Sequence, residues 1–162
     1  VGEQVKTKVL FLCTGNCCRS QMAEAILRHL DPARFEAFSA GSWPAGFVHP
    51  LAVAAMEEID APMVEPRSKS WDEFADTALD VIITLCDDAA QETCPVWPGT
   101  PLTAHWPLPD PSFHPGTEED RLQFALTVAE RLRAKIEELI ALDFEHADPA
   151  ALKAELDRIG ET

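Results

Sequence analysis

Apolar residues along this chain follow two different periods. Residues 8–12 and 80–85 (the latter with Val81, Ile82, Ile83 and Leu85) are short apolar runs without alternation, the pattern of strands buried on both faces of a parallel sheet. Residues 34–40, closed by Gly41, read as a further strand, and 103–106 as a short last one. Elsewhere the period is helical. Met22, Ile26 and Leu27 share one face of 21–30, and Leu30 with Asp31-Pro32 ends that helix. His49-Pro50 opens a helix over 51–59, with proline in its first turn. Ser70 caps a helical turn at 70–74. Leu122, Ala125, Leu126, Ala129, Leu132, Ile136, Leu139 and Ile140 form one stripe of a long amphipathic helix over 117–142. Asp148-Pro149 starts a last helix that runs to about 159.

The remainder reads as loop: a polar lead at 1–7, a turn-rich 42–48 with Pro44 and Gly46, and 95–115 with seven prolines. Apart from the short strand at 103–106, no regular element is expected to survive that proline density, and a loop of this length in a compact domain is usually functional or disordered. Strands alternating with helices predict an α/β fold: a three-layer sandwich with a central parallel sheet of about four strands and helices on both faces. The chain is expected to form a single domain over 1–162, with a core at about 8–142 and an extra helix at about 148–159.

Composition narrows the chemistry. At 162 residues the chain has room for a real core, and a formal net charge of −15 with a pI near 4.5 argues against nucleic acid or an anionic membrane as partner. No run of 18 apolar residues and no leader pattern is present, so a cytoplasmic location is expected. Five cysteines, an odd number, favour catalytic or redox thiols over a structural disulfide framework. The five histidines, at 29, 49, 105, 114 and 146, lack metal-ligand spacing, and no metal is expected. The tryptophans at 43, 71, 97 and 106 lie in loops or at element starts, where they could rim a site.

One stretch carries reactive chemistry: Phe11-Leu12-Cys13-Thr14-Gly15-Asn16-Cys17-Cys18-Arg19-Ser20. A strand leads in and a helix leads out, so the backbone N–H groups of 14–20 can turn inward over a helix N-terminus and cradle an anion. Cys13, at the strand end, is placed for N–H dipoles and a guanidinium to hold it as thiolate. Arg19 can grip two oxygens of a tetrahedral oxyanion with its planar fork. Ser20 can cap the helix or donate a hydrogen bond to the sulfur. Thr14, Gly15, Asn16, Cys17, Cys18 and Ser20 are the expected oxyanion-binding positions. Cys86, like Cys13, lies just past a strand's carboxyl end. In a parallel sheet those ends share one edge, so both thiols are expected in one crevice. Cys94 follows after a polar, Ala-rich segment. Two thiols eight residues apart on a helix exceed the roughly 7 Å Cα separation that a disulfide tolerates, so the segment would have to loop out to join them. Two unrelated small core residues are the other reading of that pair.

The loop and its continuation, Cys13 to Ser20 followed by Gln-Met-Ala-Glu24, resemble the phosphate loop of the low-molecular-weight protein tyrosine phosphatases. They resemble still more the arsenate reductases of the same fold. The resemblance spans about 9–142 and is strongest at 10–26 and 81–111. It implies a low-molecular-weight phosphatase-like fold and a thiol-dependent reduction of arsenate to arsenite. In that reading Cys13 is the nucleophile, Arg19 the oxyanion clamp and Asp110, in Asp110-Pro111, the general acid. Cys86 and Cys94 complete an intramolecular disulfide cascade emptied by an external thiol reductant such as thioredoxin or glutaredoxin. Phosphate and sulfate are implied as analogues of arsenate. No cofactor is implied, beyond a structural monovalent cation that some reductases hold at positions matching Asn16, Glu24 and Ser39. The chain has one residue more between Cys86 and Cys94 than the best-known thioredoxin-linked members. It lacks any tyrosine, where the phosphatases place one shortly after the acid. A phosphatase acting on phosphomonoesters is the alternative reading. A non-catalytic oxyanion-binding or redox-sensing module is the third.

Overall fold

Strand β1 (Thr7–Leu12) is the central wire of the sheet, pairing with β2 (Phe35–Ala40) on one side and β3 (Val81–Thr84) on the other. Strand β4 (Leu102–His105) extends the sheet beyond β3, giving the order β2-β1-β3-β4 with every pair parallel. A computed structural model describes residues 6–86 and 97–162 of the chain. Around the sheet lie α1 (Arg19–Leu30), α2 (Pro50–Glu58), α3 (Glu118–Ile140) and α4 (Pro149–Gly160), with 3-10 turns at Trp71–Phe74 and Pro111–Phe113.

The unbroken apolar run of β1 is explained by burial on both faces. Val9 and Phe11 join a large core with Met22, Ile26 and Leu27 of α1, Ala52 and Met56 of α2, and Leu132 and Ile136 of α3. Leu10 and Leu12 face the other way, into a smaller cluster with Ala40, Leu79 and Ile82, covered by Phe38, Trp71, Phe74 and Trp97. The sheet is therefore the middle of three layers, as the alternating pattern predicts. Four α-helices join the large core, and the Trp71–Phe74 turn contributes to the second cover.

Local chemistry sets the element ends. Thr117 and Asp120 form a reciprocal capping box that starts α3. His49 Nδ1 accepts from the Leu51 N–H ahead of α2, with Pro50 in the first turn. Helix α1 starts two residues earlier than the hydrophobic period suggests, because Cys18 takes the cap position and Arg19 and Ser20 are already helical. Ser20 therefore does not cap the helix.

Helix α4 closes the core along β4. Leu156 and Ile159 are fully buried in the large cluster, and the Trp106 indole N–H donates to Leu156 O at 2.9 Å. Trp106 is thus core rather than rim, and Trp71 and Trp97 pack under the second face; of the four tryptophans only Trp43 is widely exposed. Gly160 permits the close approach: a Cβ there would fall 2.5 Å from His105 O.

Candidate active site

Cys13 and Cys86 come together because β1 and β3 are neighbours in parallel register, with Leu12 opposite Thr84. Both chains leave the sheet at the same edge, and the two thiols form their own small buried cluster, 4% and 8% exposed. Thr14 Oγ1 lies 3.6 Å from Cys86 Sγ.

The loop after Cys13 is held from outside. Thr14 O accepts from Trp43 N, Gly15 O from Ala45 N and Cys17 O from His49 N, at 2.8–2.9 Å. Ser68 Oγ also donates to Gly15 O, and Gln21 Nε2 donates to Asn16 O. With its carbonyls tied outward, the loop turns its N–H groups inward. Among the described residues no backbone carbonyl accepts from the backbone N–H of Gly15, Asn16, Cys17 or Cys18. Four such donors ahead of a helix N-terminus form an anion cradle. Asn16 makes the turn at φ 47°, a left-handed conformation that asparagine tolerates better than most side chains. Gly41 lets the loop lie against the end of β2: a Cβ there would be 2.3 Å from Thr14 O and 2.8 Å from Cys13 O.

A directed chain of hydrogen bonds reaches the Cys13 sulfur. The Lys69 backbone N–H, which can only donate, meets Asn16 Oδ1 at 2.7 Å and so fixes the orientation of that amide. Asn16 Nδ2 then donates to Ser20 Oγ at 2.8 Å, and the Ser20 hydroxyl proton is left for Cys13 Sγ, 2.8 Å away. Burial pushes the Cys13 thiol above its ordinary value, while the Ser20 hydroxyl, the Ser20 N–H and Arg19 pull it down without prevailing. The groups expected to favour a thiolate are thus present around the sulfur, and burial opposes them. Cys18 is also pushed up, by burial first and then by Asp110 and Cys17, and its side chain belongs to the large core. Cys17 is half-buried and also raised, by burial first and then by Cys13.

Arg19 bridges the loop to the proline-rich segment. Its Nη1 donates to Leu108 O at 2.8 Å, and its Nη2 lies 3.4 Å from Asp110 Oδ2. Its Nε is buried without a protein partner. With Nη1 engaged by the chain itself, the Nε–Nη2 edge is the part of the fork that can face an oxyanion. Asp110 is fixed through its other oxygen, which accepts from Ser112 N at 2.9 Å and Ser112 Oγ at 2.6 Å. A cavity of about 310 Å³ opens here, lined by Arg19, Pro107, Leu108, Pro109 and Asp110. Cys94 lies outside the described residues, so its place relative to Cys86 is not part of this geometry.

Asn16, Glu24 and Ser39 do converge behind the loop, but they do not fit a bound monovalent cation. Lys69 Nζ stands among them, 3.8 Å from Glu24 Oε1 and 3.4 Å from Ser39 Oγ, and Asn16 Oδ1 is already engaged by Lys69 N and Gln21 Nε2. Among the described residues no group of three or more His, Cys, Asp or Glu is arranged to hold a metal ion. Gln21, Gly41, Lys69 and the Leu108 carbonyl are the supporting groups that sequence reading missed. Only Gly41, a glycine just past a strand end, left a local signal.

This geometry has counterparts in known proteins. The family model for low molecular weight phosphotyrosine protein phosphatase matches residues 8–156. An arsenate reductase of Oceanobacillus iheyensis is 37% identical over 131 residues, covering 81% of this chain and 90% of the relative. One from Bacillus subtilis is 35% identical over 130 residues, covering 80% and 92%. A solved arsenate reductase in its phosphate-binding state superposes with a TM-score of 0.69 at 31% identity, over 83% of this chain and 97% of that one. A low molecular weight protein tyrosine phosphatase from T. tengcongensis gives 0.67 at 26% identity, over 84% and 99%. The chain belongs to the low molecular weight phosphotyrosine protein phosphatase family and, within it, to the arsenate reductase branch.

Proposed function

We propose that this chain reduces arsenate to arsenite, with Cys13 as nucleophile and Cys86 as the thiol that resolves its adduct. The observation that carries the reading is the second buried thiol beside the first. Hydrolysis of a phosphoester needs one nucleophile and water; a two-electron reduction needs two thiols in reach of each other. The relatives named arsenate reductase support the same assignment.

Arsenate enters the cradle against the N–H groups of Gly15 to Cys18 and the Nε–Nη2 edge of Arg19. The Cys13 thiol passes its proton to an arsenate oxygen, while the Ser20 hydroxyl stabilises the sulfur as charge develops on it. Sulfur bonds to arsenic, one oxygen leaves as water with a proton from Asp110, and the displaced proton restores Asp110. Cys86 then attacks Cys13 Sγ, its thiol proton passing to an oxygen on arsenic. The sulfur–arsenic bond breaks with its electron pair going to arsenic, so arsenic falls from +5 to +3 and the two thiols become a Cys13–Cys86 disulfide. Cys94 attacks Cys86 next, which frees Cys13 and leaves a Cys86–Cys94 disulfide. An external dithiol of the thioredoxin or glutaredoxin class returns the two electrons. The reading takes the chain as one domain working in the cytoplasm.

Single-turnover arsenite release, with mass-spectrometric mapping of disulfides, tests the sequence of steps. Cys94→Ser is expected to complete about one turnover and stall with Cys13 linked to Cys86. Cys86→Ser is expected to release no arsenite. Sustained turnover by Cys94→Ser would remove Cys94 from the relay. A wild-type chain that hydrolyses aryl phosphate and leaves arsenate unreduced with every dithiol would make it a phosphatase.

A further inference from the structure

Of the seven buried polar or charged residues among those described, six (Asn16, Ser20, Gln21, Glu24, Ser39 and Lys69) form one network behind the loop. The mechanism above uses Ser20, with Asn16 behind it. Lys69 is the hub of the rest. Its ammonium donates to Arg67 O at 2.8 Å and to Ser39 Oγ at 3.4 Å, and lies 3.8 Å from Glu24 Oε1. These contacts fasten the 67–70 turn to α1 and β2 at once. The backbone of that turn then holds the site: Lys69 N–H orients the Asn16 amide, Arg67 O accepts from Gln21 Nε2, and Lys69 O accepts from Gly41 N. Glu24 is 7% exposed, and its nearest other cation is Arg28 at 3.6 Å, which is half in solvent. A carboxylate so buried requires a counter-charge in the same low-dielectric space.

We propose that Lys69 is a positioning residue for the chemistry at Cys13: its tethered ammonium is the fixed counter-cation of Glu24, standing where a free monovalent ion would otherwise be needed, and it locks the turn that aims Asn16 and Ser20 at the Cys13 sulfur. The proposal rests on Cys13 as the reactive thiol, not on arsenate as the substrate. A chain built this way has no use for potassium or sodium at this place. Its loop geometry is set by a covalently attached charge that cannot dissociate.

The test compares the wild type with Lys69→Met/Glu24→Gln, a pair that removes both charges and leaves none buried alone, and with Lys69→Arg. Three quantities are read: the pH profile of Cys13 alkylation by iodoacetamide, kcat and KM for arsenate, and the melting temperature in potassium chloride against choline chloride at equal ionic strength. In the two salts the wild type is expected to melt at the same temperature and to alkylate Cys13 at rates within about twofold of each other. The double variant is expected to fold, to lose about tenfold or more in kcat with KM within about threefold, and to alkylate Cys13 with its inflection moved to higher pH. Lys69→Arg is expected to recover part of the loss. A double variant with the wild-type alkylation profile overturns the proposal and reduces the pair to a structural ion pair. So does a wild type whose melting temperature and alkylation depend on potassium. The alkylation and melting readings hold whether or not arsenate proves to be the substrate.

Discussion

Lys69 and Lys135 are both buried, at 8% and 3% exposure, yet the two regions handle the charge differently. Around Lys69 the ammonium faces a carboxylate, a hydroxyl and one carbonyl, and its own backbone contacts the reactive loop. Around Lys135, on α3, no Asp or Glu side chain is in salt-bridge range among the described residues. Its ammonium donates to Ile159 O in the last turn of α4, and to Thr162 O and Thr162 Oγ1 just beyond it, at 2.9 to 3.2 Å. Burial pushes both lysines below their ordinary range. One region uses a buried cation to aim a reactive group, and the other uses it to close a helix. Substitutions in the first should change chemistry, and those in the second should change stability alone.

The largest effect separating the regions is expected from Arg19→Lys. It keeps the charge but loses the Nε–Nη2 edge and the brace on Leu108 O, and should lower turnover by about a hundredfold or more, in the range for one key oxyanion donor. Steady-state kinetics at matched melting temperature measure it; a loss of only a few-fold would mean that the loop amides hold the oxyanion without Arg19.

Two glycines then give a matched pair. Gly41→Ala and Gly160→Ala each force a Cβ against a carbonyl, Thr14 O at 2.3 Å and His105 O at 2.5 Å. Each is expected to cost about 1–3 kcal/mol of stability in urea melts. Only Gly41→Ala should also abolish the protection of Cys13 from iodoacetamide by sulfate, because only there does the displaced backbone belong to the cradle. Equal loss of protection by both would break the comparison.

Lys135→Met leaves the α4 carbonyls short of donors and is expected to cost about 1–3 kcal/mol without altering Cys13 alkylation. Its pH dependence has a definite sign. The folded state binds the Lys135 proton more weakly than the unfolded chain, whose group titrates near 10.5. The unfolded state therefore carries more protons as pH approaches 10.5 from below, and stability rises with pH in that window. The stability of wild type relative to Lys135→Met should grow from pH 8 toward 10.5. A constant difference across that range would place the Lys135 ammonium in solvent rather than in the core.

The smallest effect belongs to Ser20→Ala. Losing its hydrogen bond should lower the thiolate fraction of Cys13 by about tenfold at a given pH, moving the alkylation profile upward. An unmoved profile would mean that the Ser20 hydroxyl points away from the sulfur.

Short-range grammar made much of this protein readable in advance. The apolar runs at 8–12 and 80–85, the stripe along α3, the Pro50 and Thr117 helix starts and the strand–loop–helix around Cys13 are each written in contiguous residues, because backbone hydrogen bonding and face periodicity act over a few positions. The meeting of Cys13 with Cys86 was also legible, since parallel strands put their carboxyl ends on one edge. Tertiary structure alone decided what surrounds those thiols. Lys69 carries no local signal in the sequence, Leu108 contributes only a carbonyl, and Trp43 and Ala45 read as plain loop and His49 as a helix start, although their three N–H groups hold the cradle open. It also decided that burial opposes the thiolate at Cys13 and that Ser20 serves the sulfur rather than the helix end. The reason is physical. Desolvation and hydrogen-bond direction depend on every group within a few ångströms, and those groups come from positions as distant in the chain as Arg19 and Asp110.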